Sequence, residues 1–332
     1  MEPAVSVIMP VRNGGAFLET AVDSILGQSF ASLELILVDD HSDDSSIDRL
    51  CLSDSRLRVI KNTGTGVSSA FNTGFGQALG PLLARMDADD IALPQRIERQ
   101  ATYLGDHPEI DLCGCCVEIF AEDEVGGGNL RYQAWLNGCR SAESIHREMF
   151  IESPIPNPTA MFRRPALSRL GGYNEPSWPE DYDLYLRADA MGMKMGKPEE
   201  VLLRWREHGQ RLTRTAPRYD LKRFQAAKAH YLSKHRLQGK GPFIIWGAGP
   251  GGRLMHDLLL REGTRVEGFL EVHPRRIGGE KRGLPVWPVE EIDQRRDAFI
   301  LVAVGAAGAR EQIRGYLLQH DFIEGENFLF VA

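Results

Sequence analysis

The chain has 332 residues, too many for one typical domain, because hydrophobic cores commonly stop growing at roughly 250 residues. We therefore expect two domains. Apolar residues make up 42 % of the chain and charged residues 26 %, which is typical of a folded soluble protein and leaves little room for long disorder. The formal net charge of −7 argues against a nucleic-acid-binding protein, since contacts to many phosphates require a basic surface.

The N-terminus and the cysteines predict a cytoplasmic protein. The first three residues, Met-Glu-Pro, do not begin the basic and then apolar segment of a secretory signal. The longest apolar run, residues 299–309, is shorter than the ~20 residues that span a bilayer. Cys113, Cys115 and Cys116 lie in an apolar run without a second pair of zinc ligands, so we predict buried, reduced thiols.

In chain order, short apolar runs alternate with amphipathic stretches, the pattern of a mostly parallel α/β sheet flanked by helices. Strands are predicted at residues 5–9, 33–38, 56–61, 82–86, 110–120 and 201–205. Helices are predicted at residues 17–26, 94–104, 182–191 and 221–237. Three glycines at residues 126–128 indicate a flexible loop, within a longer loop predicted over residues 120–136. A Gly-Pro-rich break at residues 238–242 predicts that one domain covers residues 1–238 and a second covers residues 239–332.

The second domain is predicted to be a small Rossmann-like α/β unit, with strands at 243–246, 266–270 and 299–304 and a helix at 253–261. Gly247, Gly249 and Gly252 follow its first strand and open its helix, the arrangement of a phosphate-binding turn. Glu271 lies near the end of the next strand, where an acidic residue that binds ribose is expected. Such turns also occur in domains that bind nothing, so a nucleotide-binding and a purely structural domain both remain open.

Two acidic clusters end predicted strands of the first domain. Asp87, Asp89 and Asp90 crowd the end of the strand at 82–86, and a hard cation such as Mg²⁺ or Mn²⁺ would relieve their mutual repulsion. The alternative is an acidic turn that caps the next helix. Asp39 and Asp40 end the second strand. Because parallel strands end at one edge of a sheet, we expect both clusters at the same edge, one binding a nucleoside and the other a metal and phosphates.

Seven segments follow one another in a fixed order: 5–13 (VSVIMPVRN), 37–42 (LVDDHS), 66–74 (GVSSAFNTG), 86–90 (MDADD), 157–164 (NPTAMFRR), 171–173 (GGY) and 180–187 (EDYDLYLR). In this order they resemble family 2 of the nucleotide-sugar glycosyltransferases over about residues 4–210. The resemblance implies the GT-A type of fold, with a mostly parallel sheet flanked by helices. The second domain looks similar to Rossmann-like nucleotide-sugar-binding domains found beside bacterial sugar-modifying enzymes.

The resemblance also implies how a donor would be bound. Pro10, Asn13 and Asp39 match the lining of the family's nucleoside pocket, with Asp40 beside them. Asp87 and Asp89 match its Asp-x-Asp motif, whose carboxylates hold Mn²⁺ or Mg²⁺ and contact the ribose and diphosphate of the donor; Asp90 would share either role.

On the acceptor side, Asp181 matches the general base that deprotonates the acceptor hydroxyl, and a single displacement of this kind inverts the anomeric carbon. By composition alone, Glu180 and Asp181 equally suit the acidic start of a helix. His208 matches a histidine that some relatives place near the metal, although a lone histidine is as often structural. Asn157 departs from the histidine that many relatives carry before Pro-Thr, which puts one acceptor contact in doubt.

The predicted function is therefore sugar transfer from a nucleoside-diphosphate sugar to a saccharide or lipid-linked saccharide, in bacterial cell-surface polysaccharide or glycolipid synthesis. The absence of transmembrane segments after the catalytic unit favours transfer of single sugars. Basic residues between 211 and 223 would suit an anionic inner membrane face, or simply a solvated helix. The alternatives are a nicotinamide-dependent oxidoreductase built on the turn at Gly247, a non-catalytic nucleotide-sugar sensor and a nucleotidyltransferase.

Overall fold

The computed structural model describes residues 2–50, 53–122 and 124–332. The chain forms two compact units, one made of Met1–His146 and Pro154–Pro217 and the other of Arg147–Ser153 and Arg218–Ala332. This division falls before the boundary predicted between residues 238 and 239. The helix at Leu221–Tyr231 packs against the helix at Pro250–Arg261, which accounts for its place in the second unit.

The first unit is a mixed α/β unit. Its strands are β1 (Val5–Val11), β2 (Leu33–Asp39), β3 (Leu57–Lys61), β4 (Leu82–Arg85), β5 (Ile91–Ala92), β6 (Leu112–Cys113), β7 (Cys116–Phe120), β8 (Met161–Arg163), β9 (Met195–Gly196) and β10 (Val201–Arg206). Its helices are α1 (Leu18–Leu26), α2 (Val67–Gln77), α3 (Arg96–Asp106), α4 (Gly127–Gly138), α5 (Ala142–Glu148, which runs two residues into the second unit), α6 (Arg164–Leu170), α7 (Glu180–Ala190) and α8 (Leu212–Thr215). These elements confirm the predicted α/β class.

Seven strands form the main sheet, in the order β3-β2-β1-β4-β8-β6-β9. The four strands from β3 to β4 are parallel, and β8 is antiparallel to both its neighbours. Strands β1 and β2 are almost entirely buried, because helices cover a parallel sheet on both faces. Helix α1 contributes buried apolar residues at helical spacing. A second sheet has the order β5-β10-β7.

The strand predicted over 110–120 is wrong as a single element. It divides into β6, which joins the main sheet, and β7, which joins the small sheet. The chain passes between them at Gly114, where a Cβ atom would lie 2.9 Å from Ile155 Cγ2. The cysteines of this segment are buried free thiols, as predicted. Cys139 is buried as well.

The loop predicted over 120–136, with its flexible glycines at 126–128, is also wrong in its C-terminal half. Gly126 is extended and Gly127 begins helix α4. Leu136 is completely buried, and α4 packs against β7. Tertiary packing therefore overrides the low helix propensity of consecutive glycines.

The second unit has a six-stranded sheet in the order β13-β14-β12-β11-β15-β16. Its strands are β11 (Phe243–Trp246), β12 (Val266–Glu271), β13 (Glu280–Lys281), β14 (Leu284–Pro288), β15 (Phe299–Val302) and β16 (Phe328–Phe330). Its helices are α9 (Leu221–Tyr231, continued by a π-helical turn to Arg236), α10 (Pro250–Arg261) and α11 (Ala309–Gln319). All pairs except β13–β14 are parallel. Within the described ranges, no helix is long and apolar enough to cross a membrane.

Candidate active site

The ends of β1, β2 and β4 lie at one edge of the main sheet. Val11 pairs with Asp39 across β1 and β2, and Ile8 pairs with Arg85 across β1 and β4. The residues that follow β2 and β4 therefore flank the end of β1. In this register the two acidic clusters lie at the same edge of the sheet, as predicted.

Asp39 is buried and accepts hydrogen bonds from Lys61 Nζ (2.5 Å) and from the Ser42 N–H (2.9 Å). Burial raises the pKa of Asp39, but these donors and the Lys61 charge outweigh it, so the pKa lies below its ordinary value. Pro10 pairs with Val38, one position before Asp39. Asp39 is thus held ionised beside the end of β1.

Asn13 and Asp40 organise the surrounding loops. Asn13 has a φ of 55°, and its Oδ1 accepts the N–H groups of Asp43 and Asp44. Asp40 is buried, and both its oxygens accept the Gly66 N–H (3.0 and 2.9 Å), while Oδ1 also accepts Asn62 Nδ2 (2.7 Å). Asp40 therefore fixes the turn that begins helix α2.

Asp87, Asp89 and Asp90 follow β4, and each has a different environment. Asp87 Oδ1 accepts Arg85 Nε at 2.9 Å. Asp89 Oδ2 lies 2.8 Å from His208 Nε2, so the structure brings together two of the predicted metal ligands. Both side chains remain partly exposed, 31 % for Asp89 and 23 % for His208.

Asp90 is buried, unlike its two neighbours. Its Oδ1 accepts the N–H of Arg206 at the end of β10, whereas its Oδ2 has no hydrogen-bond partner among the described residues. Burial raises the pKa of Asp90 well above its ordinary value, and the charges of Asp89 and Asp87 raise it further. Arg206 Nε also donates to the Asp89 carbonyl (2.7 Å), so β10 fixes the backbone of this acidic turn.

These residues fit a metal ion that is shared with a ligand. In the part of the chain that the structure describes, no three His, Cys, Asp or Glu side chains are already grouped to hold a metal. Mg²⁺ and comparable hard cations are commonly bound by one or two carboxylates together with substrate phosphates rather than by a complete protein cage. Asp89 and His208, which lie 2.8 Å apart and are both partly exposed, suit such a partial site.

Asp181 lies in the first turn of α7, which begins at Glu180. Its Oδ1 accepts the Tyr182 N–H at 2.7 Å, and the residue is half-buried, whereas Glu180 is fully buried. The helix N-terminus favours negative charge here. This placement agrees with both readings of the sequence, an acidic helix start and an accessible base.

Two buried tyrosines, Tyr173 and Tyr185, lie near Asp87 and Asp181. Burial raises the pKa of Tyr173 above its ordinary value; Arg85 opposes this, while Asp181 and Asp87 add to it. The same two carboxylates raise the pKa of Tyr185 beyond the effect of burial. Asp87 and Asp181 thus both act electrostatically on the same two hydroxyl groups.

Asn157, which stands where many relatives have histidine, is buried between these tyrosines. Its Oδ1 accepts the hydroxyls of Tyr173 (2.5 Å) and Tyr185 (3.3 Å). The residue is 8 % exposed, so its amide oxygen is used in the packing of the site. Sequence reasoning missed both tyrosines and Arg85, although a charged residue at the end of an apolar strand was a signal for Arg85.

In the second unit, the predicted glycine-rich turn joins β11 to α10. Gly247 has a φ of 111°, which favours glycine. Gly249 precedes the first residue of α10. A Cβ atom on Gly252 would lie 1.8 Å from the Gly247 carbonyl oxygen, so the close contact between turn and helix requires glycine.

Glu271 lies at the end of β12, as predicted, but its carboxylate is buried and fully engaged. Its Oε2 accepts the Ala248 N–H (3.2 Å) and Arg276 Nη1 (2.9 Å). Its Oε1 accepts the N–H groups of Val272 and His273. Glu271 therefore closes the turn from inside the unit, and binding of ribose by this residue stays a prediction.

Part of the predicted basic surface is neutralised. Glu207 accepts hydrogen bonds from Arg211 (3.1 Å) and Arg214 (2.7 Å), and the Arg211 guanidinium lies 4.5 Å from the centroid of the Trp205 ring. These two arginines support the segment that carries His208.

Known proteins are similar to this chain in sequence. EpsE of Bacillus subtilis, named as a putative glycosyltransferase, is 30 % identical over 85 % of this chain and 97 % of its own length. The amylovoran biosynthesis glycosyltransferase AmsE of Erwinia amylovora is 30 % identical over 57 % of this chain and 70 % of its own.

The crystal structure of TarS residues 1–349 from S. aureus, in complex with UDP-GlcNAc, superposes with a TM-score of 0.56 at 16 % identity, over 80 % of this chain and 74 % of that one. This likeness supports the fold, which is of the GT-A type. The sequence model of the family described as "Glycosyl transferase family 2" matches residues 6–171. Half of the chain thus carries the family pattern, and the protein belongs to glycosyltransferase family 2.

Proposed function

We propose that this glycosyltransferase moves one sugar from a nucleoside-diphosphate sugar to a hydroxyl group of a saccharide or lipid-linked saccharide, with inversion at the anomeric carbon. The observation that carries the proposal is a chain of contacts from α7 to the end of β4. Tyr185 of α7 and Tyr173 both donate to Asn157 Oδ1. Arg85, which donates to Asp87, lies 5.2 Å from the centroid of the Tyr173 ring. This chain of contacts supports an arrangement in which the predicted donor carboxylates and the predicted base face one another, as a displacement with base and leaving group on opposite sides requires.

The donor nucleoside would bind at the end of β2. Asp39 is held ionised by Lys61 and Ser42, so it can accept hydrogen bonds from the ribose or the base. Pro10 and Asn13 would line the same pocket. Asp40 supports it indirectly, because its carboxylate is used to fix the Gly66 turn.

The donor diphosphate would bind at the end of β4. Asp87, Asp89 and His208 are the residues that would hold Mn²⁺ or Mg²⁺ there. When bound, such an ion supplies positive charge against the departing diphosphate. The chain itself orients the acidic turn through the two hydrogen bonds from Arg206.

Asp181 would deprotonate the acceptor hydroxyl as its oxygen attacks the anomeric carbon. The proton passes to the carboxylate, the C–O bond to the acceptor forms, and the bond to the diphosphate breaks. One such displacement inverts the configuration. The partial exposure of Asp181 is what access for an acceptor requires.

The names of two similar proteins support the proposed classes of donor and product. AmsE is named for amylovoran biosynthesis, and TarS was crystallised with UDP-GlcNAc. These names favour a nucleotide-sugar donor and a polysaccharide product. We place the enzyme in the cytoplasm, at the inner face of the membrane when its acceptor is lipid-linked.

Calorimetric titration tests the donor class. UDP, GDP, TDP and NAD are each added with and without Mn²⁺ to the wild type and to Asp89→Ala. We expect Mn²⁺-dependent binding of one diphosphate that Asp89→Ala abolishes. Binding of NAD alone, independent of metal, would contradict the proposal and favour an oxidoreductase.

Asp181→Asn tests the base. We expect it to retain diphosphate affinity and to lower kcat by about 10²–10⁴-fold, the usual contribution of general base catalysis. Asp189→Asn, at the other end of α7, is the matched control and should keep kcat. Transfer by Asp181→Asn at the wild-type rate would remove Asp181 as the base.

A further inference from the structure

Arg85, the last residue of β4, is a buried cation directly behind the acidic turn. Its side chain is 3 % exposed. Its backbone is tied on both sides, because its N–H donates to the Ala160 carbonyl (2.8 Å) and its carbonyl accepts Arg96 Nη2 (2.6 Å). Burying a guanidinium costs free energy unless nearby groups compensate its charge. The groups that contact Arg85 therefore indicate its role.

Asp87 provides the compensating charge. Arg85 Nε donates to Asp87 Oδ1 at 2.9 Å, while Arg85 Nη1 has no hydrogen-bond partner among the residues described. The guanidinium carbon lies 5.2 Å from the centroid of the Tyr173 ring and 5.8 Å from that of Phe71. Both rings are buried, so aromatic contacts, the hydrogen bond to Asp87 and the charges of Asp87 and Glu180 together stabilise this cation.

The two rings are themselves immobilised. Their centroids lie 4.7 Å apart. Asn72 of α2 holds the backbone of Tyr173 at both groups, since its Oδ1 accepts the Tyr173 N–H (2.9 Å) and its Nδ2 donates to the Tyr173 carbonyl (2.8 Å). The Tyr173 hydroxyl donates to Asn157 (2.5 Å). The orientation of Arg85 is therefore fixed by three separate segments.

We propose that Arg85 is a positioning residue of the donor site. It holds Oδ1 of Asp87 and thereby turns Oδ2 toward the donor diphosphate or its cation. The Asp87 side chain is 30 % exposed, and within the described ranges its one side-chain hydrogen bond is the one from Arg85. This inference rests on the proposed function, because it assigns Arg85 to the same donor site.

Arg85→Lys tests the proposal. Lysine keeps the charge but lacks the planar guanidinium that donates to Asp87 while lying between two rings. We expect Mn²⁺-dependent affinity for the cognate nucleoside diphosphate to fall about tenfold or more, as for loss of a hydrogen bond to a charged group. The donor KM should rise by a similar factor while the acceptor KM is unchanged.

A double-mutant cycle separates positioning from general structural damage. If Arg85 acts through Asp87, Arg85→Lys has no further effect on diphosphate affinity in an Asp87→Ala background. Additive effects, or an unchanged affinity in Arg85→Lys, would overturn the inference. Failure of the wild type to bind any diphosphate would instead refute the proposed function, so the two failures are distinguishable.

Arg163→Lys is the matched control. Arg163 also donates to the chain from a partly buried position, to the carbonyls of Ile110, Leu104 and His107, but none of its contacts is to the acidic turn. We expect it to lower the unfolding temperature without changing diphosphate affinity. An equal loss of affinity in Arg163→Lys would show that the effect of Arg85→Lys is not specific.

If Arg85→Lys does not fold, NMR spectra of the wild type and of Asp87→Ala test the proposal instead. In the wild type, NMR spectra should show a slowly exchanging Arg85 Nε–H, because this proton is buried and hydrogen-bonded. We expect Asp87→Ala to shift this signal and to accelerate its exchange. An unchanged Arg85 Nε–H signal in folded Asp87→Ala would overturn the proposal.

Discussion

Some buried carboxylates of the first unit have a structural role and others a proposed chemical role. The groups that surround each carboxylate oxygen distinguish the two roles. Asp39 and Asp40 are neighbours in the sequence and equally buried. Both oxygens of Asp40 accept the backbone N–H of Gly66, which makes Asp40 a support for that turn. One oxygen of Asp39 instead accepts the exposed ammonium of Lys61. Residue type alone does not separate the two roles, because both carboxylates follow the same strand.

Asp40→Ala should reveal this supporting role. It leaves the Gly66 N–H and the Asn62 amide without their acceptor, so we expect the free energy of unfolding to fall by about 2–4 kcal/mol. Asp43→Ala, an exposed change on the same loop, should stay within about 0.5 kcal/mol. Urea unfolding of both variants gives the comparison, and equal stability of the two would contradict the assignment.

At the scale of elements, helix α2 lies against the sheet through a glycine. A Cβ atom on Gly74 would lie 2.5 Å from Ile8 Cγ2 and 2.9 Å from Val38 Cγ2. Since α2 also carries Phe71 and Asn72, which hold Tyr173 and Arg85, its distance from β1 and β2 sets the geometry of the site. The sequence shows two glycines in this helix and does not say which one is in contact.

Gly74→Ala and Gly76→Ala form a matched pair on α2. The first forces α2 away from the sheet, so we expect a loss of about 1–3 kcal/mol in unfolding free energy. The second adds a methyl group where no atom lies within 4 Å and should stabilise the protein by about 0.5–1 kcal/mol, as alanine favours helix over glycine. Thermal unfolding measures both, and a stabilising Gly74→Ala would refute the close contact.

At the scale of the whole molecule, the second unit is assembled from two parts of the chain. Lys228 of α9 donates from Nζ to the Ile151 carbonyl (2.6 Å) and to the Val331 carbonyl (3.2 Å). It is 3 % exposed. One ammonium thus joins residues 147–153, α9 and the C-terminus, although these segments are far apart in the sequence.

Burying the Lys228 ammonium costs free energy, so the stability of the protein should depend on pH. Burial lowers the pKa of Lys228 to about 8, from an ordinary value of 10.5, although Glu152 partly opposes the shift. Between these values the unfolded chain binds more protons than the folded one, so stability contributed by this group rises with pH. Relative to Lys228→Met, the wild type should gain about 3 kcal/mol between pH 8 and pH 10.5.

Measuring urea unfolding of both proteins across this range isolates Lys228 together with its neighbour Glu152, because groups that do not interact with Lys228 titrate alike in the two chains. A stability difference that is flat, or that falls with rising pH, would contradict the assignment of a neutral lysine above pH 8.

Much of this molecule is determined by local sequence. Alternating apolar runs establish the α/β class, because a strand or helix must bury one face. The motifs around Asp39 and Asp87 lie within residues 6–171, which the sequence model of the family matches, so the local sequence also indicates the family. The glycines of the turn at Gly247 were likewise recognisable, since only glycine tolerates the conformation and the close approach found there.

Tertiary structure alone decided the remainder. Whether residues 110–120 form one strand or two depends on which sheets accept them, and helix α4 begins in a run of glycines because Leu136 is buried in the core. The sequence likewise places Arg85 two residues before Asp87 without showing that Phe71 and Tyr173 hold it there. These outcomes depend on contacts between residues that are distant in the chain, and the free energy of such contacts is not a property of any local segment.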